Sequence, residues 1–212
     1  MNALSTIAGF FEGGGPFMYV ILGTAVLILA IVLERLFVIG RAGALNGARF
    51  VRDVTKLVGK GDVQAATELT RKVKNPAGRV AYAILSTGTT HEDSLNNAAD
   101  GAAVVVLPAL SRRLPLLSML ANVATLLGLL GTIFGLTTAF AAVGAADPAQ
   151  RSAFLASGIS QALNTTAFGL MVAVPAMIVH GLLVGKVETI VEQVDEVSVK
   201  LVRALTGRPS AI

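Results

Sequence analysis

Four polar side chains crowd into six positions: Gln161, Asn164, Thr165 and Thr166. They lie inside a run, Ser152 to Gly185, that contains no Asp, Glu, Lys or Arg. Hydroxyls and amides bond water or a partner without holding a charge. A second uncharged run, Leu114 to Ala146, carries Thr125 and Thr132, which are seven residues apart and so on one helical face. The same run holds Gly128, Gly131 and Gly135, and Gly131 with Gly135 makes a GxxxG pair that permits close helix approach. Gly169 and Ala173 extend a small face beyond Thr166. Pro175 frees a backbone carbonyl and is expected to kink its helix. Two readings are open. The threonines and glycines are packing glue, since threonine hydroxyls often bond their own helix carbonyls. Or they line a hydrated ion path, which the cost of turning four polar groups to lipid favours.

Other chemistry is missing. Gly59-Lys60-Gly61 lacks the upstream glycine and following hydroxyl of a phosphate-binding loop. There is no G-x-S-x-G elbow. His91 and His180 are far apart and accompany no carboxylate cluster, and His180 reads as an interfacial or packed residue. With zero cysteines there is no thiolate metal site. No enzyme activity, metal or cofactor is expected. Proton relays within membranes normally use Asp, Glu or His. The two long uncharged runs have no carboxylate, so any titrating acid must come from a second chain.

The elements that must hold these residues follow from composition. The 212 residues are 54% hydrophobic and 14% charged, with a mean hydropathy of +0.72. Soluble chains carry about 25% charged residues. Three windows lack charge altogether, 13–33, 114–146 and 152–185, and a bilayer core needs about 20 apolar helical residues. The chain therefore reads as an all-α integral membrane protein with three transmembrane helices, at 16–39, 114–143 and 157–185. No basic residue precedes the first span and Glu34-Arg35 follows its uncharged core, so it reads as an uncleaved anchor. Eleven Lys and Arg fall between Arg41 and Arg113, four from Lys186 onward, only Arg151 between spans two and three, and none before Pro16. By the positive-inside rule the segments 40–113 and 186–212 are cytoplasmic, while 1–15 and 144–156 lie outside. That asymmetry accounts for the sequence pI near 9.8 without a nucleic-acid partner.

The cytoplasmic loop has helical texture. Phe50, Val51, Val54, Leu57 and Val58 recur at three-and-four spacing. Gly59-Lys60-Gly61 breaks that helix, Asp62 caps a second, and Asn75-Pro76 stops it. A third segment ends at Gly88. Thr90 with Asp93 is expected to cap a further helix, whose path Pro108 and Pro115 should bend or interrupt. Beyond span three, Val187, Ile190, Val191, Val194, Val197, Leu201 and Leu205 form an apolar stripe that should pack on the loop helices or on a neighbouring subunit.

Four stretches resemble the MotA/TolQ/ExbB proton-channel family, in particular its TolQ/ExbB-like branch. They are Gly13 to Met18, Leu33 to Leu36, LLGLLGTIFGLTTAF from Leu126 to Phe140, and ISQALNTTAFGLMVAVPA from Ile159 to Ala176. The resemblance implies a pentamer in the bacterial inner membrane, with 1–15 and 144–156 periplasmic. Spans two and three would line a central pore around two copies of a single-span partner like ExbD or TolR, whose membrane aspartate carries the proton. Ion flow would drive work on the envelope through a protein like TonB or TolA, in energised uptake, envelope maintenance or gliding motility. The family's pore threonines fall on Thr132 and Thr166, and its third-span proline on Pro175. The family commonly has glutamate where this chain has Gln161, which cannot carry charge. The alternative from a different class is a passive oligomeric scaffold without ion flow. A self-sufficient transporter is disfavoured by the lack of intramembrane charge and of an inverted repeat.

Overall fold

The computed structural model describes residues 3–43 and 47–207. The extreme ends of the expected outer segment and of the cytoplasmic tail (1–2 and 208–212), and 44–46 of the loop, lie outside the described residues. All regular structure among the described residues is helical: α1 (Ala3–Gly13), α2 (Pro16–Ala42), α3 (Gly47–Gly59), α4 (Val63–Lys72), α5 (Pro76–Ser86), α6 (Glu92–Val106), α7 (Pro108–Ser111), α8 (Leu114–Ala145) and α9 (Arg151–Thr206). Three helical stretches are long and apolar enough to cross a membrane, and they contain the three expected spans. The chain divides into two compact units, one of 1–33 with 113–181 and one of 34–112 with 182–212.

In the first unit α8 and α9 run antiparallel along a seam of small residues. The buried positions of α8 include Ala121, Ala124, Gly128, Gly131, Gly135 and Ala139, spaced three and four apart. They face Gly158, Ala162, Thr165 and Gly169 of α9. A Cβ on Gly169 would lie 2.8 Å from the Ala124 carbonyl oxygen and 3.0 Å from Gly128 Cα. One on Gly135 would lie 3.0 Å from the Ala162 nitrogen. These neighbours are backbone and cannot swing aside. The glycines thus set how close the helices come, beyond the single GxxxG pair visible in α8. Helix α9 begins at Arg151, six residues before the expected start of span three, and continues through Pro175. The proline deletes one hydrogen bond, to the Met171 carbonyl, without ending the helix.

The second unit is a helical bundle with its own core. Phe50, Val54, Val80, Ile84 and Leu95 pack there against Val194, Val197 and Leu201 of α9. The C-terminal part of the apolar stripe, from Val194 to Leu205, is therefore covered by the chain's own loop helices, while Ile190 lies by Gly43 at the end of α2. Asp62 caps α4 by accepting from Ala65 N–H at 3.1 Å, as its position suggested. Asn75 does more than end a helix: it caps α5, accepting from Gly78 N–H at 2.7 Å, with Pro76 in the first turn. The expected cap at Thr90 is not formed. Helix α6 starts at Glu92 with His91 in the cap position and no side-chain cap bond, and the Thr89 hydroxyl accepts from the His91 N–H at 3.1 Å in the preceding loop. Pro108 opens the separate short helix α7, and Pro115 lies in the first turn of α8.

Arg35, read from sequence as a mere boundary of the first span, is 4% exposed. Its Nη1 donates to the carbonyls of Ala109 at 3.1 Å and Arg112 at 2.7 Å, and Nη2 pairs with Glu34 at 2.9 Å. A four-residue helix leaves carbonyls without helical partners, and the planar guanidinium fork meets two acceptors of the α7 region at once. A charged residue flanked by Leu33, Leu36 and Phe37 was the available signal.

Two expectations follow. Arg35→Ala should cost about 2–4 kcal/mol, because it orphans the Ala109 and Arg112 carbonyls that the buried guanidinium satisfies, and Arg35→Lys should recover little of it. Gly169→Val should cost about 1–3 kcal/mol by forcing α8 and α9 apart. Gly23→Val, where a side chain meets open space, should stay within about 0.5 kcal/mol. Thermal unfolding of the purified protein in detergent, followed by circular dichroism, measures each.

Candidate functional site

The α8–α9 seam brings Thr132 and Thr166 together. Their hydroxyl oxygens are in direct hydrogen-bonding contact. Each also stands 3.1 Å from the Gly128 carbonyl oxygen. Two hydroxyl hydrogens serve three contacts, so one contact is always without a proton, and rotation of the hydroxyls exchanges which one. Gly128 makes this possible, since its missing side chain lets the Thr166 backbone come close enough to reach a carbonyl of the facing helix. Both threonines are half-buried. Apolar, exposed side chains flank them on the same helices, Leu129 and Ile133 on α8 and Leu163 and Leu170 on α9. The charge-free sequence around them leaves a neutral polar point on an apolar face.

Thr125, which shares a helical face with Thr132, is exposed and donates to its own helix at the Ala121 carbonyl, 3.3 Å away. It stands two turns from the pair and is not brought to it.

The other polar residues of α9 have a different partner. Thr165 is 0% exposed. Its hydroxyl reaches the Gly14 carbonyl at 2.8 Å and the Gln161 carbonyl at 2.7 Å, and its methyl packs on Gly131. The Gln161 amide lies against Gly15, and the Asn164 amide against Gly13. Gly15 has φ +72°, a left-handed conformation that glycine adopts without strain. The turn between α1 and α2 is thus seated on the polar cluster of α9. Phe11 adds an edge-to-face contact with Phe168 at 5.1 Å, and Phe17 another with Phe134 of α8 at 5.4 Å.

This placement bears on one expectation. Thr165 was grouped with the ion-path residues, and the structure places its hydroxyl between the Gly14 and Gln161 carbonyls, with no exposed surface. Gln161 and Asn164 are half-buried against the turn. The glycine turn covers part of their surface, so they are not turned wholly to lipid. Helix α1 was not anticipated. Gly13-Gly14-Gly15 was visible as a motif, but three glycines do not say what they approach.

Gly131, Gly135 and Gly169 belong to the seam, and Pro175 lies downstream of the pair on α9, lining a small apolar recess with Ile28, Leu29 and Ala176. His180 is half-buried, about four turns beyond Thr166. Among the described residues no group of three His, Cys, Asp or Glu is placed to hold a metal. The site can donate to or accept from water or a carboxyl group, but it holds no charge of its own.

Comparison with known proteins agrees with this architecture. The family described as the MotA/TolQ/ExbB proton channel family matches residues 72–196. A putative biopolymer transport protein ExbB homolog of Methanothermobacter thermautotrophicus is 26% identical over 92% of this chain and 69% of its own. The putative biopolymer transport protein ExbB-like 3 of Synechocystis is 30% identical over 78% of this chain and 79% of its own. The Tol-Pal system protein TolQ of Haemophilus influenzae is 34% identical over 48% of this chain and 46% of its own. With its three membrane-length helices and a family match across more than half its length, the chain belongs to the MotA/TolQ/ExbB proton channel family.

Proposed function

We propose that this chain is the neutral wall of an inner-membrane proton motor, a stator subunit whose partner supplies the acid. The observation that carries the reading is the Thr132–Thr166–Gly128 cluster: two hydroxyls and a carbonyl with one hydrogen too few, set in a charge-free apolar surface. Such a cluster can give a hydrogen bond to an ionised carboxylate and accept one from a protonated carboxyl, by hydroxyl rotation alone. It favours neither state strongly enough to trap it, which suits a group that must pick up and lose a proton repeatedly.

The remaining parts of the reading follow from the charge pattern and the family. The N-terminus and the connector 144–156 are periplasmic. The segments 40–113 and 186–212 are cytoplasmic. Subunits assemble as a homo-oligomer, a pentamer by the family's pattern, around a dimer of a single-span ExbD- or TolR-like partner with a membrane aspartate. The work is done on an envelope protein of the TonB or TolA kind. Gln161, packed on Gly15, is a structural residue in this scheme, which fits its inability to carry charge.

A passive scaffold is the second reading, and the glycine seam favours it, since close packing alone would explain those residues. The two readings part at the hydroxyls. A hydrogen bond to a charged group is worth about 1.5–3 kcal/mol, so Thr132→Val with Thr166→Val should slow proton-driven work on the order of tenfold or more. The complex should still assemble at normal stoichiometry, and the double serine variant should retain activity. The check is proton uptake into liposomes holding the chain with its partner, beside the oligomer mass. The chain alone should leak few protons. Normal uptake by the double valine variant would reduce the pair to packing.

A further inference from the structure

A cavity of about 310 Å³ opens in the second unit beside the last turn of α2. Arg41, Lys74 and Arg79 line it, and no carboxylate does. None of the three side chains makes a hydrogen bond or ion pair with another described residue. All three are exposed. The N-terminus of α5 opens on the same space through Asn75 and Pro76, adding the partial positive charge of a helix start. Arg79 also borders an adjacent cavity of about 470 Å³, lined by Arg71 and likewise free of carboxylates.

The remaining wall, Asn75 apart, is apolar. Val38, Ala42 and Val105 line it, and Val105 is 68% exposed beside Val104 at 73%. A bundle facing only water gains nothing from leaving two adjacent valines bare beside unpaired cations. The apolar wall is also continuous with a membrane span, because Val38, Arg41 and Ala42 are the final residues of α2. Basic residues within a turn or two of a span's end meet the phosphate layer of the bilayer.

From this juxtaposition we infer that the Arg41–Lys74–Arg79 cavity binds an anionic phospholipid, its phosphate held by the three cations and its glycerol and upper acyl chain laid over Val38 and Val105. The lipid is a component of the leaflet in which α2 ends. The inference needs α2 to cross the membrane but does not depend on the threonine pair or on ion flow. The site would fasten the bundle to the bilayer surface and make the unit's stability depend on anionic lipid. A soluble phosphate would satisfy the cations but leave the valines bare. An acidic face of a neighbouring copy would satisfy the cations without any lipid.

The test uses the full chain, purified in detergent, delipidated and titrated with phosphatidylglycerol, phosphatidylcholine or inorganic phosphate. Bound lipid is counted by native mass spectrometry, and protection is read from the thermal midpoint. Phosphatidylglycerol should be retained and should raise the midpoint saturably, while phosphatidylcholine and phosphate at equal concentration should not. Arg79→Gln should weaken retention about fivefold, and the triple variant R41Q/K74Q/R79Q by well over tenfold. The control K56Q/K60Q/K72Q removes the same charge elsewhere in the bundle and should retain lipid as the parent does. Circular dichroism of Arg79→Gln, one exposed side chain, guards against misreading a folding defect. Equal retention by the triple variant and the parent would overturn the site. So would protection by phosphate alone, which means a soluble-anion site. So would a triple variant that keeps its lipid but loses its oligomer, which means a subunit interface.

Discussion

Two membrane-length helices that carry no charge have little besides van der Waals contact and backbone-directed hydrogen bonds to hold them together. Lipid is as apolar as leucine, so burying leucine between them gains nothing. Close approach is the one gain available, and it requires absent side chains. Gly128, Gly135, Gly158 and Gly169 supply that absence at successive crossing points, each facing backbone or a small side chain of the opposite helix. The Thr132–Thr166 contact is a consequence of this spacing. A hydroxyl of α9 reaches a carbonyl of α8 only because nothing stands on Gly128. The polar point and the packing seam are therefore one structure read from two sides.

The same economy governs the turn that opens α2. Gln161, Asn164 and Thr165 would be a liability on a lipid-facing helix, and three glycines in a row would be a liability in any chain that must stay ordered. Set against each other they cancel. The glycines expose backbone polar atoms, of which Thr165 takes the Gly14 carbonyl, and Gly15 leaves room for the Gln161 amide. Phe11 on Phe168 and Phe17 on Phe134 seal the turn with apolar contacts on either side.

Legibility in the sequence followed the reach of each signal. Hydropathy is local and strong, so three membrane-length helices were plain, and the three-and-four stripes of α3 and of the end of α9 gave the faces that pack in the second unit. Asp62 was readable because its bond closes within three residues. What was hidden depends on distant partners. Thr165 looks identical to Thr166 in the sequence, and only distant partners separate their placements: the Gly14 carbonyl, 151 positions away, for one and the Gly128 carbonyl for the other. Arg35 looks like a span boundary until its acceptors, more than 70 positions on, are in place. Thr90 failed for the opposite reason: local capping rules admit several start points, and α6 begins one residue later with His91 in the cap position and no side-chain cap bond.

A neutral wall has a physical merit that a charged one lacks. A fixed carboxylate or lysine beside a proton carrier would lower the energy of one of its protonation states and so raise the barrier to leaving it. At an effective dielectric near 20, two unit charges 4 Å apart interact by about 4 kcal/mol, enough to hold the carrier for roughly a thousandfold longer. Two hydroxyls sharing a carbonyl have no such preference, because they turn their hydrogens toward an anion and their lone pairs toward an acid. The hydrogen shortage at Thr132, Thr166 and Gly128 means that turning breaks no fully satisfied set of bonds. The charge excluded from this surface appears where water or lipid phosphate can meet it, in the basic residues that follow α2 and precede α8. In the proposed scheme, uncharged helices bounded by cationic ends hold the wall in the bilayer and leave the moving charge to a partner's side chain.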